Sequence, residues 1–583
     1  MPSLTRQLSA IVQDAFAAAG LERRHGAVQP SARPDLCQFQ CNGAMPAAKA
    51  AGMNPRQAAE KVLALLQPHP AFARLELAGP GFINLTVTDA FLGALSRQDG
   101  PPAGGLPEAG QKVVIDFGGP NVAKPLHVGH LRSAIIGDSL QRLHRALGAD
   151  VLSDIHLGDW GTQMGMLIEA VGEEQPGLPY FDPALTGPYP SQAPVGLADL
   201  ERLYPAMSAR CKDDPGLAEK ARAATRDLQA GRPGYRALWR HFVDVSIEAI
   251  KADFGRLGVR WDLWLGESDS QAGIPAMLLD LAARGVSSPS EGAVVIHLDR
   301  IANTETPPLL LVKGDGGYLY GTTDLATLRE RVRDRKATRL LYVADKRQSL
   351  HFAQVFQGAA KAGYLGQATA EHVAFGTVNG KDGKPFKTRD GGVMRLQALL
   401  DQAREEAAQR LAESGLGAEL PAHEQAEVAA LVAMAAVKFA DLSNHRASDY
   451  AFDLERFTQF EGKTGPYLLY AAVRMKSILR KAAERGFEPG ALADPGDAER
   501  ALVLKLLAAP DALERAAAES LPHVMCEYAY ELAGAFSSFY QGSSILHEAD
   551  AARRGAWLGL TAATLGRLSQ VLGLLGIATV ERM

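Results

Sequence analysis

The sequence has few cysteines and no long apolar run. Its 583 residues include 4 cysteines, too few and too scattered for a disulfide framework, and this usage favours a reducing cytoplasm. The close pair Cys37 and Cys41 has no second Cys or His pair nearby, so a zinc site is not expected. No apolar stretch reaches membrane-spanning length, and we therefore expect no membrane partner.

Positive charge is not in excess either. The formal net charge is -5 and the pI is near 6.3, so a nucleic-acid partner would be held by a local patch and by shape. The sequence also lacks the P-loop pattern GxxxxGK[ST] and the Gly-rich dinucleotide fingerprint. Any nucleotide site must therefore be built in another way.

Three regions are predicted along the chain. Residues 1–110 open with an amphipathic helix, include the strand-like run FINLTV and end in the linker-like stretch QDGPPAGGLPEAG. Residues 111–400 alternate helical segments with the strand-like runs VVIDF, GAVVIHL, LLLVKG and TRLLYVAD, and they carry insertions over about 172–300, of which the Pro/Gly-rich stretch 172–235 reads as an insertion or loop. Residues 401–583 are rich in Ala and Leu at helical period. The predicted fold class is multidomain α/β: a Rossmann-like parallel-sheet domain, an α+β N-terminal domain and an all-α C-terminal bundle.

The stretch PNVAKPLHVGHLRSAIIGD, residues 120–138, lies between a buried-strand pattern and a helical one, so His127 and His130 are predicted at a strand-to-helix corner. In a doubly wound sheet such a corner is the usual place for a nucleotide. Gly129 lacks a Cβ where a ligand could approach, and the two imidazoles can donate hydrogen bonds to phosphate oxygens. For an isolated H-x-x-H, a structural interpretation stays open, in which one histidine caps the helix and the other fills a core position.

The full wording PNVAKPLHVGHLRS resembles the HIGH motif of class I aminoacyl-tRNA synthetases, in the form typical of the arginyl-tRNA synthetase family. The resemblance continues through LGDWGTQMG, GES, GGYLYGTTDLA and YVADKRQSLHFAQ, and through GKDGKPFKTRDGGVMRL in the place of the family's mobile lysine loop. In that loop KPFKT stands where many class I enzymes have KMSKS, a departure that is itself typical of arginyl enzymes of this type. Terminal segments of the chain also resemble the family, so the likeness covers nearly its whole length.

The resemblance implies ATP-dependent ligation of L-arginine to tRNA(Arg) through an arginyl-adenylate, with release of AMP and pyrophosphate. Residues implied in catalysis are His127, His130, Lys124, Lys384 and Lys387. Residues implied in ATP binding are His127, Gly129, His130 and Lys387. Residues implied in arginine binding are Asp116, Asn121, His127, Glu267, Tyr320, Asp324 and Gln348.

Plainer interpretations stay open for several of these residues. From spacing alone, Tyr320 and Asp324 would be an aromatic residue and a helix-capping Asp. Asp116, at a strand end, would make an ordinary structural hydrogen bond. The loop with Lys384 and Lys387 would be a solvated basic turn.

The terminal regions are implied in tRNA handling. Phe82 and Asn84 of the first domain are expected to contact the tRNA elbow, and Tyr467, Tyr470 and Arg474 are expected to offer stacking faces and phosphate contacts in an anticodon-binding bundle. Strand and core packing explain the same residues as simply. The implied partners are tRNA(Arg), L-arginine and ATP with Mg²⁺, with no tightly bound metal, no DNA and no membrane, in a cytoplasmic monomer.

Three other functions fit the sequence less well. A cysteinyl enzyme would call for a zinc-binding Cys/His set near its pocket, and the sequence has none. A non-catalytic tRNA-binding relative would be expected to have lost His127, His130, Asp324 or Lys387, and all four are present. A simple ATP-binding dinucleotide fold leaves both terminal regions unexplained.

Overall fold

The computed structural model describes residues 3–33, 36–98, 105–300, 305–314, 316–380, 383 and 394–583. By its internal contacts the chain forms two compact units. We call them the terminal unit (Met1–Pro107, Ala408–Phe439 and Phe457–Met583) and the central unit (Glu108–Ala407 and Ala440–Arg456). The two ends of the chain thus belong to one unit.

The N-terminal part of the terminal unit is an α+β layer. Its helices are α1 (Leu4–Ala18), α2 (Ala44–Ala51), α3 (Pro55–Leu66) and α4 (Asp89–Ser96), and its strands are β1 (Val28–Pro30), β2 (Phe39–Cys41), β3 (Phe72–Ala78) and β4 (Phe82–Val87). The strands form one antiparallel sheet in the order β1-β2-β4-β3. The predicted N-terminal helix begins after Ser3, whose hydroxyl accepts the N–H of Arg6, and it buries Leu8 and Val12 on one face.

A parallel sheet forms the core of the central unit, which confirms the predicted fold class. Strands along this part of the chain are β5 (Lys112–Phe117), β6 (Asp150–Asp154), β7 (Ser288–Ser290), β8 (Ala293–Ile296), β9 (Leu309–Val312), β10 (Arg339–Val343), β11 (Thr369–His372), β12 (Val378–Asn379) and β13 (Tyr450–Ala451). The sheet order is β11-β10-β5-β6, all parallel, and Asp116 is in register with Tyr342 on one side and Asp154 on the other. The carboxyl ends of β5 and β6 therefore meet at one edge.

Two of the strand-like runs do not belong to this sheet. GAVVIHL and LLLVKG supply β8 and β9, which pair antiparallel with each other in a separate sheet of order β7-β8-β9. A short apolar run predicts a buried strand but not its direction or its partner, because pairing is decided by the rest of the fold.

Helices surround the parallel sheet and extend the insertion. They are α5 (Val128–Ala146), α6 (Thr162–Glu174), α7 (Leu197–Asp213), α8 (Pro215–Gln229), α9 (Pro233–Arg256), α10 (Glu267–Ser270), α11 (Ile274–Ala283), α12 (Tyr320–Arg333) and α13 (Ser349–Lys361). The next helices along the chain are α14 (Leu396–Ser414), α15 (Ala422–Leu442) and α16 (Leu454–Phe457), and most of α15 belongs to the terminal unit. The stretch 172–235, predicted as an insertion or loop, is irregular only up to about residue 196. Beyond it, α7 and α8 pack with α6 and α9 around a core that includes Leu167, Leu203 and Leu228.

The C-terminal part of the terminal unit is the predicted all-α bundle. Its helices are α17 (Gly465–Glu484), α18 (Asp497–Leu507), α19 (Ala509–Ala518), α20 (His523–Gly542) and α21 (Ala551–Leu574). Polar contacts join it to the N-terminal layer: Arg500 donates to the Asp89 carboxylate and the Val87 carbonyl, and Arg6 pairs with Glu514 at 2.5 Å. Among the described residues, no helix is both long enough and apolar enough to span a bilayer.

Candidate active site

Both histidines sit at the corner where β5 leads into α5. His127 is the N-cap of α5, and its Nδ1 accepts the N–H of Gly129 at 3.0 Å, while His130 Nδ1 accepts the N–H of His127 at 3.1 Å. The two rings are 4.0 Å apart. Because each Nδ1 is an acceptor, each neutral imidazole carries its proton on Nε2 and can donate it to a ligand.

Burial keeps these imidazoles neutral. Burial, and then the positive charge of Lys124, lowers the pKa of His127. Burial, and then the charge of His127, lowers the pKa of His130 to about 3. The structural interpretation was therefore right about capping, but capping leaves both Nε2–H groups available.

Gly129 is required by the geometry of the cap. A Cβ at this position would lie 2.6 Å from Cε1 of the His127 ring, too close for the ring to keep its place. Lys124 precedes the corner, and its ammonium lies 4.9 Å from the centre of the Tyr204 ring. The absence of a Cβ at Gly129 thus lets the His127 ring keep its position and also leaves room for a ligand to approach the backbone.

The chain that follows the lysine loop is attached to the same corner. Val128 donates its N–H to the Met394 carbonyl at 3.1 Å, and Leu396 donates its N–H to the Leu126 carbonyl at 3.0 Å. Lys384 and Lys387 lie outside the described residues.

Glu267, Tyr320 and Asp324 come together near the sheet edge. Tyr320 opens α12 and Asp324 lies four residues later, one turn along the same face, while the N-cap is Leu319, so Asp324 is not the helix cap. Burial, and then the nearby charges of Asp324 and Asp159, raises the pKa of Glu267 to about 7, although His156 opposes the shift. Loss of hydration at the phenol, and then the charge of Glu267, also raises the pKa of Tyr320.

Asp159 holds the turn that carries Glu267, and the sequence reasoning did not assign it. Its carboxylate accepts the Ser268 N–H at 3.0 Å and the Ser268 hydroxyl at 2.6 Å. Gly266 makes room for it, because a Cβ there would lie 2.6 Å from Asp159 Cγ. Asp159 lies in the motif LGDWGTQMG and Ser268 in the motif GES. Nothing in the sequence indicates that these two residues, 109 positions apart, are in contact.

Asp324 has a partner that sequence reasoning also missed. His351 Nε2 lies 2.5 Å from Asp324 Oδ2, so the imidazole fixes the carboxylate's orientation. Gln348 is exposed on the turn just before α13, which carries His351. Asn121 is exposed and its side chain lies against Gly158. A Cβ added to Gly158 would lie 2.0 Å from the Asn121 Oδ1.

Asp116 lies in a buried charge cluster at the sheet edge. Arg331, itself 2% exposed, contacts Asp116 Oδ2 at 2.8 Å and Asp154 Oδ2 at 2.7 Å. Burial alone would lower the pKa of His156, but the carboxylates of Asp154 and Asp116 raise it to about 9. Burial raises the pKa of Asp116 although Arg331 opposes it, whereas for Asp154 the effects of His156 and Arg331 outweigh burial and lower the pKa.

This cluster has the spacing of a metal site but not its charge. Ligand atoms of Asp116, Asp154 and His156 lie within 4.8 Å of one another. The guanidinium of Arg331 already occupies the position between the two carboxylates. Two cationic side chains balance two carboxylates, so the donor set does not fit a divalent ion.

The residues expected to contact tRNA lie in the terminal unit. Asn84 is 8% exposed in β4, and its Oδ1 accepts from Gln40 at 2.8 Å, whereas Phe82 at the start of the strand is half-buried. On α17, Arg474 donates to the Tyr470 hydroxyl at 3.1 Å. Tyr467, on the same helix, packs against Tyr530 with ring centres 5.6 Å apart.

Three family models match the chain. They are described as "tRNA synthetases class I (R), catalytic domain" over residues 104–454, "Arginyl tRNA synthetase N terminal domain" over residues 3–87 and "DALR anticodon binding domain" over residues 468–583. Together with the parallel sheet and its histidine corner, they define a class I aminoacyl-tRNA synthetase.

Individual relatives show which family of class I synthetases the chain resembles. The arginine–tRNA ligases of Maricaulis maris and Hyphomonas neptunium are each 52% identical to the chain, with 100% of both sequences covered. The chain belongs to the arginyl-tRNA synthetase family. The crystal structure of the Plasmodium falciparum arginyl-tRNA synthetase shares the fold, with a TM-score of 0.83 at 24% identity and 100% of both chains covered.

Proposed function

We infer that the chain is an arginine–tRNA ligase. It joins L-arginine to tRNA(Arg) with ATP, through an arginyl-adenylate, and releases AMP and pyrophosphate. The observation that carries this at the site is the pair of carboxylates, Glu267 and Asp324, set around Tyr320 beside an imidazole corner. A planar guanidinium is bound by carboxylates that accept parallel hydrogen bonds, and a phosphate by neutral N–H donors.

In the arginine site, Glu267 and Asp324 bind the guanidinium and Tyr320 packs against the substrate. Asp116, Asn121 and Gln348 hold its α-amino end, and His127 contacts both substrates. His351 positions Asp324, because their contact fixes the carboxylate. For Asp116 the contact with Arg331 keeps one carboxylate oxygen in place and leaves the other for the ammonium group.

In the ATP site, His127 and His130 donate their Nε2–H groups to phosphate oxygens, beside Gly129. The arginine carboxylate attacks the α-phosphorus, and the bond to pyrophosphate breaks. Donors aimed at oxygens whose charge grows in the transition state accelerate such a step without covalent participation. Mg²⁺ arrives with ATP as part of that substrate, held through its phosphates.

Lys384 and Lys387 complete the phosphate site, with Lys124 contributing from the corner. Support comes from the chain beyond the loop, because Met394 and Leu396 are hydrogen bonded to the corner itself. A flexible lysine ammonium can follow the charge that moves onto the leaving pyrophosphate.

In the second step, the terminal 2′-hydroxyl of the tRNA attacks the arginyl carbonyl and AMP leaves. We assign residues 1–110 to the tRNA elbow, through Phe82 and Asn84, residues 111–400 to the chemistry and residues 401–583 to the anticodon, through Tyr467, Tyr470 and Arg474. A monomer suffices, because the described arginine and ATP residues all lie in one central unit. The four cysteines are free thiols, the state that a reducing cytoplasm maintains.

The decisive experiment is ATP–pyrophosphate exchange with each standard amino acid, with and without total tRNA. We expect exchange with arginine alone, appearing when tRNA is added. Exchange with another amino acid would overturn the roles of Glu267 and Asp324. His130→Ala should depress exchange far more than thermal stability, and an equal loss of both would mean that the histidine is structural.

A further inference from the structure

Helix α7 of the insertion reaches the histidine corner through two side chains, Glu201 and Tyr204. They lie three residues apart on one face of the helix. Leu200, Leu203 and Met207 are buried and pack α7 into the core of the insertion. The two side chains therefore project from a fixed base.

The ring of Tyr204 holds the ammonium of Lys124. The ammonium lies 4.9 Å from the centre of the ring, within the distance at which a cation is attracted by an aromatic face. Over the described ranges of the chain, no carboxylate and no hydrogen bond holds this ammonium. After burial, the charge of Lys124 is the second cause that lowers the pKa of His127, so the ammonium lies beside the corner.

Glu201 connects the same helix to the segment that pairs with His127. Glu201 Oε2 lies 3.1 Å from Nη2 of Arg395, and the Glu201 side chain is 16% exposed. The backbone of Arg395 forms an antiparallel bridge with that of His127. Helix α7 therefore contacts the corner at two places, at Lys124 and at Arg395.

An aromatic ring suits a cation that has to bind phosphate. A carboxylate in its place would neutralise the ammonium and compete with the phosphate, whereas a neutral ring leaves the N–H donors of lysine free for an anion. A lysine side chain also loses conformational freedom when it binds a ligand. Because the ring holds the ammonium before ATP arrives, part of that loss has already occurred.

Tyr204 is close to the arginine site as well. Loss of hydration, and then the charges of Glu267 and Tyr204, raises the pKa of Tyr320. Among the described residues, however, no hydrogen bond joins the two phenols, whereas the Tyr204 ring packs directly against the Lys124 ammonium. The geometry therefore favours a role of Tyr204 that acts through the lysine.

We propose that Tyr204 is a positioning residue for ATP, and that it acts by holding Lys124 ready for the phosphates. This rests on the proposed function, in which Lys124 contributes to the phosphate site. Tyr204 contacts the lysine and not the phosphates, and Glu201 keeps the helix that carries it at the corner. The insertion thus contributes to amino-acid activation through one aromatic face.

The test is a double-mutant cycle of Tyr204→Leu and Lys124→Met in ATP–pyrophosphate exchange, at saturating arginine and tRNA. In the wild-type background, Tyr204→Leu should lower kcat/KM for ATP about fivefold to tenfold, the range of a partly buried contact between a cation and an aromatic ring. In the Lys124→Met background the same change should have less than about a twofold effect. Tyr204→Phe keeps the ring face and should retain most of the wild-type value, and the KM for arginine should stay within about twofold of wild type in every variant.

Tyr364→Leu is the matched control. Tyr364 is also partly buried, and the guanidinium groups of Arg284 and Arg329 lie 5.5 and 5.3 Å from the centre of its ring. The substitution removes the same ring and the same kind of contact from a different core. It should leave kcat/KM for ATP at the wild-type value.

Two outcomes of the cycle would overturn the proposal. A loss of the same size in both backgrounds would mean that Tyr204 acts through Tyr320 or through packing of the insertion. An unchanged kcat/KM in Tyr204→Leu, or in Lys124→Met alone, would mean that the contact does not position a cation for ATP. Thermal unfolding checks each variant, and if Tyr204→Leu melts early, Tyr204→Met gives the same comparison with an apolar chain that adapts to the gap.

Direct binding of ATP, measured by calorimetry without arginine or tRNA, separates this proposal from the proposed function. The Kd for ATP should rise about three- to tenfold in Tyr204→Leu, and it should be no higher in the double variant than in Lys124→Met. A chain that binds ATP in this pattern but exchanges with no amino acid would support the role of Tyr204 and overturn the ligase function. A chain that exchanges with arginine but lacks the pattern would overturn the role of Tyr204 and leave the ligase function in place.

Discussion

The pKa of Glu267 predicts how arginine binding depends on pH. Burial raises that pKa to about 7, and the carboxylate, not the neutral acid, accepts from the substrate guanidinium. Affinity is therefore present above pH 7 and is lost as the pH falls through 7. With a single group of pKa about 7, the Kd for L-arginine should rise about tenfold between pH 8 and pH 6.

Calorimetric titration of L-arginine across this range measures the effect. Glu267→Gln should bind arginine about 10- to 100-fold more weakly at pH 8, the loss of a charge-assisted pair, and should show little pH dependence. Asp269→Asn is the matched control, since it changes another carboxylate of α10, one whose Oδ2 accepts the Gly266 N–H at 2.8 Å. A Kd that is flat in wild type, or a slope that survives in Glu267→Gln, would refute the assignment of the pKa near 7 to a guanidinium-binding Glu267.

Three further predictions concern the corner and the core. Gly129→Ala should lower kcat by a factor on the order of 10², because the new Cβ displaces His127, and steady-state kinetics at saturating substrates would show it. Arg132→Met should lower the free energy of unfolding by about 3–5 kcal/mol in a urea titration, because it leaves the buried Asp441, 3.1 Å away, without its cationic partner. The pKa of His156 is raised in the fold to about 9, so its contribution to stability is fully present below its ordinary value of 6.5 and is lost as the pH rises through 9, and the fall of Tm over this range should be smaller in His156→Gln.

The parts of the site that the sequence could predict are those in which local order sets the geometry. The strand-to-helix corner follows from one stretch, and Tyr320 and Asp324 share a face because they are four residues apart in α12. The helical bundle and FINLTV strand follow from periodicity in the same way.

What the sequence could not predict are contacts between distant segments. Nothing near Arg331 marks it as the residue that binds both Asp116 and Asp154, because the register of β5 with β6 brings those carboxylates together. The helix α7 within residues 172–235 was also not predicted. The Pro and Gly residues in the first part of that stretch indicated a loop, although Leu200 and Leu203 further along have helical spacing.

The shared unit of the two chain ends changes how deletions should be designed. Removing residues 1–107 would take away not only Phe82 and Asn84 but also the partners of Arg500 and Glu514 in the helical bundle. Weaker tRNA binding by a protein shortened in this way would mix a lost elbow contact with a loosened anticodon region. Single substitutions in the full-length chain distinguish these two effects, because they keep the contacts between the N-terminal layer and the helical bundle.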